Sequence, residues 1–250
     1  GRKNYDEMYH VLQQRGLAPG GVPELLNLTE PELLASIYRE YAEAGSHVVY
    51  ANTFGANRHK TADSGYSVAQ LVEGMLLPSG NDAAYVLAAA AGRVLLSKEK
   101  ASPKEAVAAF MEEVNCRGKE LGLAATQFVT PDGYHSEGHY SCPGDLATIG
   151  ELALGNEVIA KYAALQQDSA IFKSGETITW YNANRLLNPE SAWYCREAVG
   201  LKTGYTKEAG YCLLSAFQNG DSHILVGIFD AENKLSRYSD AADLFHAATQ

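Results

Sequence analysis

The sequence predicts an α/β chain in which helices pack on an antiparallel sheet, and three observations carry that class. Two apolar runs, Cys212 to Phe217 and Ile224 to Phe229, flank Asn219-Gly220, the strongest short-range hairpin signal. Ser102-Pro103-Lys104-Glu105 joins a capping-box spacing to proline in the first turn, so a helix begins there. Arg237 to Ala248 puts Tyr238, Ala241, Leu244 and Phe245 on one inward face, the pattern of a closing amphipathic helix. With 250 residues, 46% hydrophobic and 20% charged, the chain can bury one large core or two smaller ones.

The elements follow in order. Gly1 to His10 has no clear pattern, and Gly1 to Tyr9 is too polar for a signal peptide. Thr29-Glu30-Pro31-Glu32 opens a helix that keeps Leu33, Leu34, Ile37, Tyr41 and Ala44 in period and stops at Gly45. His47 to Ala51 reads as a short buried strand, and Asn52 to Asn57 as the loop at its end. Ser67 is an N-cap, with Val68, Leu71, Val72 and Met75 on one helical face. Ser79 to Asp82 interrupts that pattern, and Ala83 to Leu96 forms an alanine-rich helix. The helix opened by Ser102 puts Ala106, Phe110, Val114 and Leu121 on one face and ends at Gly122. Pro131-Asp132-Gly133-Tyr134 is a turn. Asp145 to Leu154 and Val158 to Leu165 are helices; Ile171 to Lys173 and Thr177 to Tyr181 are strands. Lys202 then lies on or beside a strand that neighbours the hairpin.

Charge and cysteine usage narrow the partners. The net charge is -10 with no Lys/Arg stripe, which excludes nucleic acid as a partner. No apolar run approaches the roughly 20 residues of a transmembrane segment. Four cysteines, Cys116, Cys142, Cys195 and Cys212, are widely spaced without Cys-x-x-Cys, against structural zinc and a dense disulfide framework. His135 and His139 have i, i+4 spacing, but Pro131, Gly133 and Gly138 make this a loop rather than a metal-binding helix. No metal and no cofactor are implied, and the oligomeric state is left open.

Two short motifs carry the chemistry. Lys202-Thr203-Gly204 offers a cation on a strand, a hydroxyl, and a residue that lets a ligand approach the backbone, which suits capture of a carboxylate. Pro78-Ser79-Gly80-Asn81-Asp82 sits between two helical patterns, with Asp82 as a helix N-terminal charge.

With Leu121-Gly122-Leu123, Thr126-Gln127-Phe128, Pro131-Asp132-Gly133, His139-Tyr140-Ser141 and Asn184-Arg185-Leu186-Leu187, these motifs make the chain from about Tyr66 onward resemble the serine D-alanyl-D-alanine carboxypeptidases. Those are the low-molecular-mass penicillin-binding proteins, relatives of the class A β-lactamases. The resemblance implies a helical region with an antiparallel sheet whose first two strands are N-terminal. It implies a hydrolase of peptidoglycan stem peptides that also recognises β-lactams and works outside the cytoplasmic membrane. It implies catalytic roles for Ser79 as proton relay, Asn81 as contact to the substrate amide and Lys202 as carboxylate binder, with Thr203 and Gly204 lining the substrate site. It also implies a Ser-x-x-Lys motif upstream of Ser79 that supplies nucleophile and base. No Ser-x-x-Lys occurs there; Ser97-Lys98-Glu99-Lys100 alone has the spacing, in a solvated, charged helix end. Removal of such a nucleophile typically costs on the order of 10⁶ in rate, so enzyme activity does not follow from these motifs.

A different resemblance covers about residues 11–60. Pro23 to Thr29, Tyr38-Arg39-Glu40-Tyr41, Ala44-Gly45 and Asn52 to Arg58 resemble the first βαβ segment of homocysteine S-methyltransferase. That family is a TIM barrel, needing about 250 residues by itself, with zinc on cysteines late in the barrel. The barrel and paired cysteines do not follow here, so methyl transfer is not implied. The chain therefore reads as two pieces, a methyltransferase-like fragment over 1–62 and a carboxypeptidase-like domain over 63–250, a chimera joined near Lys60 to Gly65. The expected fold is a penicillin-binding-protein-like α/β domain whose N-terminal strands are replaced by a βαβ-type fragment, with Val48 to Ala51 a candidate sheet edge.

Overall fold

A computed structural model describes residues 67–171, 175 and 177–249. The expected helix, strand and junction between residues 1 and 66, and the end of the strand at Lys173, lie outside the described residues.

The first helices start where their caps put them. Helix α1, Val68–Leu76, opens on a capping box: Gln70 N donates to Ser67 Oγ at 3.2 Å, and Ser67 N donates to Gln70 Oε1 at 2.9 Å. Helix α2, Asn81–Leu95, buries Ala83, Ala84, Ala88, Ala89 and Gly92. It packs on α3, Pro103–Glu120, whose N-cap Ser102 accepts from Glu105 N at 3.2 Å. The small face has a purpose. A Cβ on Gly92 would lie 1.8 Å from the Ala106 carbonyl oxygen, so only glycine admits this close crossing. Gly122, at φ +78°, ends the helix run as expected.

The loop from 121 to 142 is held by side-chain clamps. Asn115 Nδ2 donates to Phe128 O and its Oδ1 accepts from Phe128 N, at 2.7 and 2.8 Å. Thr126 Oγ1 donates to Asp145 Oδ2 at 2.6 Å. The expected turn at Pro131 to Tyr134 is present, closed by Tyr134 N donating to Asp132 Oδ1. Its two histidines lie in the loop, and His139 Nδ1 accepts from Val129 N. Helices α4, Pro143–Gly155, and α5, Glu157–Ala164, share Asn156, whose side chain caps α5 by accepting from Val158 N and Ile159 N.

Two antiparallel sheets complete the described fold. Strands β1, Gln167–Ile171, and β2, Thr177–Tyr181, form a two-stranded ribbon. Strands β3, Ala198–Thr206, β4, Gly210–Asn219, and β5, Ser222–Ala231, form a sheet in that order. Its β4–β5 register pairs Asn219 with Ser222, so the turn is Gly220-Asp221, and Gly220 adopts φ +60°. The hairpin is where the Asn-Gly signal put it, with Asn219 as the last paired residue. Helix α6, Ser236–Ala248, lies against β4 and β5. Leu213, Phe217, Val226 and Ile228 of the sheet meet Tyr238, Ala241 and Phe245 of the helix in the main core. Phe217 and Phe245 stack with ring centres 4.7 Å apart. Burial of side chains this size stabilises by about 1.5–3 kcal/mol each.

Several expected details are corrected. Val68, Leu121 and Leu244 were expected inward and are 68%, 47% and 52% exposed. Leu77 and Leu123 are buried instead, and Phe245 keeps its expected inward place, because the partner surface selects which part of a broad apolar face is covered. Helix α2 resumes at Asn81 rather than Ala83, taking Asn81 and Asp82 into its first turn. Strand β1 begins at Gln167, earlier than expected, since Gln167, Asp168 and Ser169 are exposed polar residues that form no apolar run, and Ala170 alone of the strand is buried.

Candidate functional site

Ser79 stands in the turn between α1 and α2, exposed, at φ +66°. A non-glycine residue in that left-handed region costs about 1–2 kcal/mol, so the surrounding packing must hold it. It does so on both sides. Leu77 is fully buried before it, and Gly80 N donates to Gly74 O at 3.0 Å after it. Gly80 cannot be replaced without disturbance, since a Cβ there would sit 2.7 Å from Gly74 O. Asn81 is the first residue of α2. Asp82 is buried and its Oδ1 accepts from Ala83 N at 2.8 Å, the helix-terminal role expected for it.

Lys202, Thr203 and Gly204 lie in the middle of β3, opposite Leu214, Leu213 and Cys212 of β4. Thr203 is buried and Gly204 exposed. Lys202 Nζ donates to Thr203 O at 2.9 Å. Burial, then the nearby Arg237 guanidinium, pushes the Lys202 ammonium down to about 8.

Arg237 is the residue that sequence reasoning missed. It is 4% exposed, and its Nη1 donates to Gly204 O at 3.0 Å and to Cys212 O at 3.1 Å. Its Nη2 donates to Tyr238 Oη at 2.8 Å, while Nε is buried without an acceptor. No salt bridge to a carboxylate is formed by Arg237 among the described residues. The signal was present in the sequence: Arg237, Ala241 and Phe245 stand at i, i+4 and i+8, so the arginine occupies the buried stripe of its own helix. Two cations, Lys202 and Arg237, thus converge on the middle of an outer strand, and no ion pair to a carboxylate among the described residues neutralises them. That arrangement favours an anionic ligand.

The Ser79 turn and the Lys202 strand come from distant parts of the chain and share neighbours. Helix α5 packs against both α1 and β3. Ala183, between β2 and β3, donates its N–H to Leu77 O at 2.9 Å and accepts at its carbonyl from Tyr238 Oη at 2.9 Å. A second feature without a sequence signal is Glu73 of α1, six residues before Ser79. It is buried with Oε1 unpartnered. Burial, then the Asp168 carboxylate of β1, pushes its carboxyl up to about 7, opposed by Lys161 of α5.

Comparison with known proteins gives the family and the fold of the chain. The model of the peptidase S11 family, D-alanyl-D-alanine carboxypeptidase, matches residues 41–233, a span that includes part of the stretch read above as methyltransferase-like. The D-alanyl-D-alanine carboxypeptidase DacF of Bacillus subtilis is 30% identical over 182 residues, which are 73% of this chain and 42% of the relative. The D-alanyl-D-alanine carboxypeptidase of Streptomyces sp. strain K15 is 30% identical over 226 residues, 88% of this chain and 71% of the relative. The chain therefore spans well under half of DacF and most of the Streptomyces protein. The crystal structure of the Streptomyces K15 DD-transpeptidase superposes with a TM-score of 0.65 at 26% identity, covering 91% of this chain and 86% of that one. Penicillin-binding protein D2 of Listeria monocytogenes, in its ampicillin-bound form, superposes with a TM-score of 0.61 at 21% identity, over 93% of this chain and 87% of that one, a likeness of fold. The expected α/β architecture of helices with antiparallel sheets is the architecture of these neighbours.

Proposed function

The chain belongs to the D-alanyl-D-alanine carboxypeptidase family, and from that premise we propose that it carries the ligand-recognition part of a serine carboxypeptidase site, taking the terminal carboxylate of a peptidoglycan stem peptide or of a β-lactam. The observation that supports this reading most is the Lys202–Arg237 cation pair beside Gly204, with no ion pair to a carboxylate among the described residues. Strand β3 is the outer strand of its described sheet, so an extended peptide can add to it by backbone hydrogen bonds while its carboxylate reaches the cations. Thr203 and Gly204 line this strand. Ser79, on the turn before α2, and Asn81, its first residue, supply a hydroxyl relay and an amide contact to the ligand. A site of this kind works on the cell wall, outside the cytoplasmic membrane.

The chain's own sequence has no Ser-x-x-Lys upstream of Ser79. We therefore assign capture and orientation of the ligand to Ser79, Asn81, Lys202 and Arg237, and no covalent step to any of them. Electrostatic capture and orientation survive loss of a nucleophile; the covalent step does not. The test is intact-mass spectrometry after incubation with benzylpenicillin, beside calorimetric titration of the same ligand. Reversible binding without an adduct is expected. Absence of binding overturns the reading of the site, and a stoichiometric adduct on a serine overturns its non-covalent character.

A second reading is favoured by one observation, the Lys202 ammonium pushed down to about 8, into the range of a working base. In that reading Ser79 is the nucleophile and Lys202 its base. An adduct that persists unchanged in Ser79→Ala removes it. The homocysteine methyl-transfer alternative rests on residues 11–60, outside the described residues, and bound zinc with thiol alkylation is its test.

A further inference from the structure

We propose that Tyr238 is a positioning residue, whose hydroxyl splices the Ser79 turn to the Lys202 strand and aims the Arg237 guanidinium at the anion site. The inference rests on the reading of Lys202 and Arg237 as that site. The path is continuous and every link is a hydrogen bond. Leu77 O, two residues before Ser79, accepts from Ala183 N at 2.9 Å. Ala183 O accepts from Tyr238 Oη at 2.9 Å. Tyr238 Oη accepts from Arg237 Nη2 at 2.8 Å, and Arg237 Nη1 donates to Gly204 O at 3.0 Å.

The middle of the path is held from both sides. Asn182 Nδ2 donates to Ala163 O at 3.2 Å and to Leu165 O at 2.9 Å, at the end of α5. Asn184 N donates to Asn182 Oδ1 at 2.9 Å, and Asn184 Nδ2 reaches Gly200 O of β3 at 3.4 Å. Ala183 is thus a fixed anchor, and Tyr238, fully buried in the core, is fixed to it. A phenol has one proton. With that proton given to Ala183 O, the oxygen presents lone pairs to the guanidinium, so the polarity of the chain is set. The planar guanidinium keeps Nη1 on two carbonyls of β3 and β4, and the hydroxyl is the acceptor on Nη2 that fixes its rotation. Packing adds to this: the guanidinium carbon lies 4.8 Å from the Tyr238 ring centre and 5.8 Å from that of Tyr211.

Tyr238→Phe keeps the ring and its packing and removes the splice. The test has two readouts on the folded protein, its fold checked by near-ultraviolet circular dichroism. One is benzylpenicillin affinity by calorimetry; the other is titration of Lys202 Nζ by NMR with labelled lysine, which needs no ligand. The expected result is about tenfold weaker binding and a Lys202 midpoint that rises by part of the smaller contribution due to Arg237 as the guanidinium turns, while burial still holds it below the ordinary lysine range. A merely structural hydroxyl would lower the unfolding temperature and leave that midpoint in place. Unchanged affinity together with an unchanged midpoint overturns the proposal. If the parent itself does not bind benzylpenicillin, the functional reading fails, while the midpoint still decides the role of Tyr238. If Tyr238→Phe does not fold, 3-fluorotyrosine at position 238, a weaker acceptor of nearly the same volume, is expected to raise the midpoint by a smaller amount, and no rise overturns the proposal.

Discussion

The Ser79 turn and the Lys202 strand solve the same problem, holding polar groups ready for a ligand, by opposite means. The turn is held by backbone. Ser79 is strained at φ +66°, Gly80 touches Gly74 O, and a buried acid stands on the helix before it. The strand is held by sheet register, with Lys202 opposite Leu214 and Gly204 opposite Cys212, and its backbone has room beside it. What strains the turn is steric, and what burdens the strand is charge. The two regions therefore respond to different perturbations, and four experiments sharpen that contrast.

The largest effect is expected from Glu73 beneath the turn. Its carboxyl is raised in the folded protein from 4.5 to about 7. A raised carboxyl holds its proton in the folded state while the unfolded chain loses it. Its stabilising contribution is thus whole below about 4.5 and is lost as pH rises to about 7, facing Asp168 of β1 and Lys161 of α5. Glu73→Gln removes this dependence. The stability difference between variant and parent, from urea unfolding, is expected to move in favour of the variant by about 3 kcal/mol between pH 4.5 and pH 8. A difference that stays flat over that range denies the buried acid.

The next two effects separate the regions directly. Gly80→Ala drives a Cβ against backbone and is expected to cost about 2 kcal/mol in chemical unfolding. On the strand side, capture of a carboxylate needs charged Lys202, whose folded value is depressed to about 8. Binding of benzylpenicillin by calorimetry is therefore expected to hold below pH 8, to weaken about tenfold for each unit above it, and to level off once pH passes the higher value that Lys202 takes in the bound state. An affinity independent of pH from 7 to 10 removes Lys202 from the site. Ligand-free stability moves the other way, rising with pH between about 8 and 10.5, because the unfolded chain there keeps a proton that the folded one has released.

The smallest effect on stability completes the contrast. A Cβ on Gly204 would meet only Cys212 Cβ, at 3.7 Å, an ordinary contact. Gly204→Ala is expected to change the unfolding free energy by less than about 0.5 kcal/mol, yet to weaken ligand binding by obstructing approach to the strand. Comparing Gly80→Ala with Gly204→Ala in one unfolding series checks it. Equal costs at the two glycines would mean that the turn is not the strained member.

Much of this was legible along the chain because its signals are local. Ser67, Ser102 and Pro103 mark helix starts, Gly122 a stop and Gly220 a hairpin, since each acts on backbone groups only a few residues away. The short motifs at Ser79 and Lys202 were legible for the same reason. Periodicity was less exact. Val68, Leu121 and Leu244 satisfy the helical period and face solvent, because a period defines a stripe and only the packed neighbour defines its edge. Arg237 and Tyr238 stood in plain view on the buried stripe of α6, yet a charged residue there reads as the solvated start of a helix.

By itself, then, the sequence determined the α/β class, the helix starts, the hairpin and the two motifs, all of which follow from chain chemistry within a few residues. Tertiary structure alone decided that Arg237 lies beside Gly204, that Glu73 is driven against Asp168, and that Ala183 and Tyr238 tie the turn to the strand. The physical reason is range. A cap or a turn acts through covalently near atoms, whereas burial, charge coupling and a relayed hydrogen bond depend on which distant segments the core brings into contact.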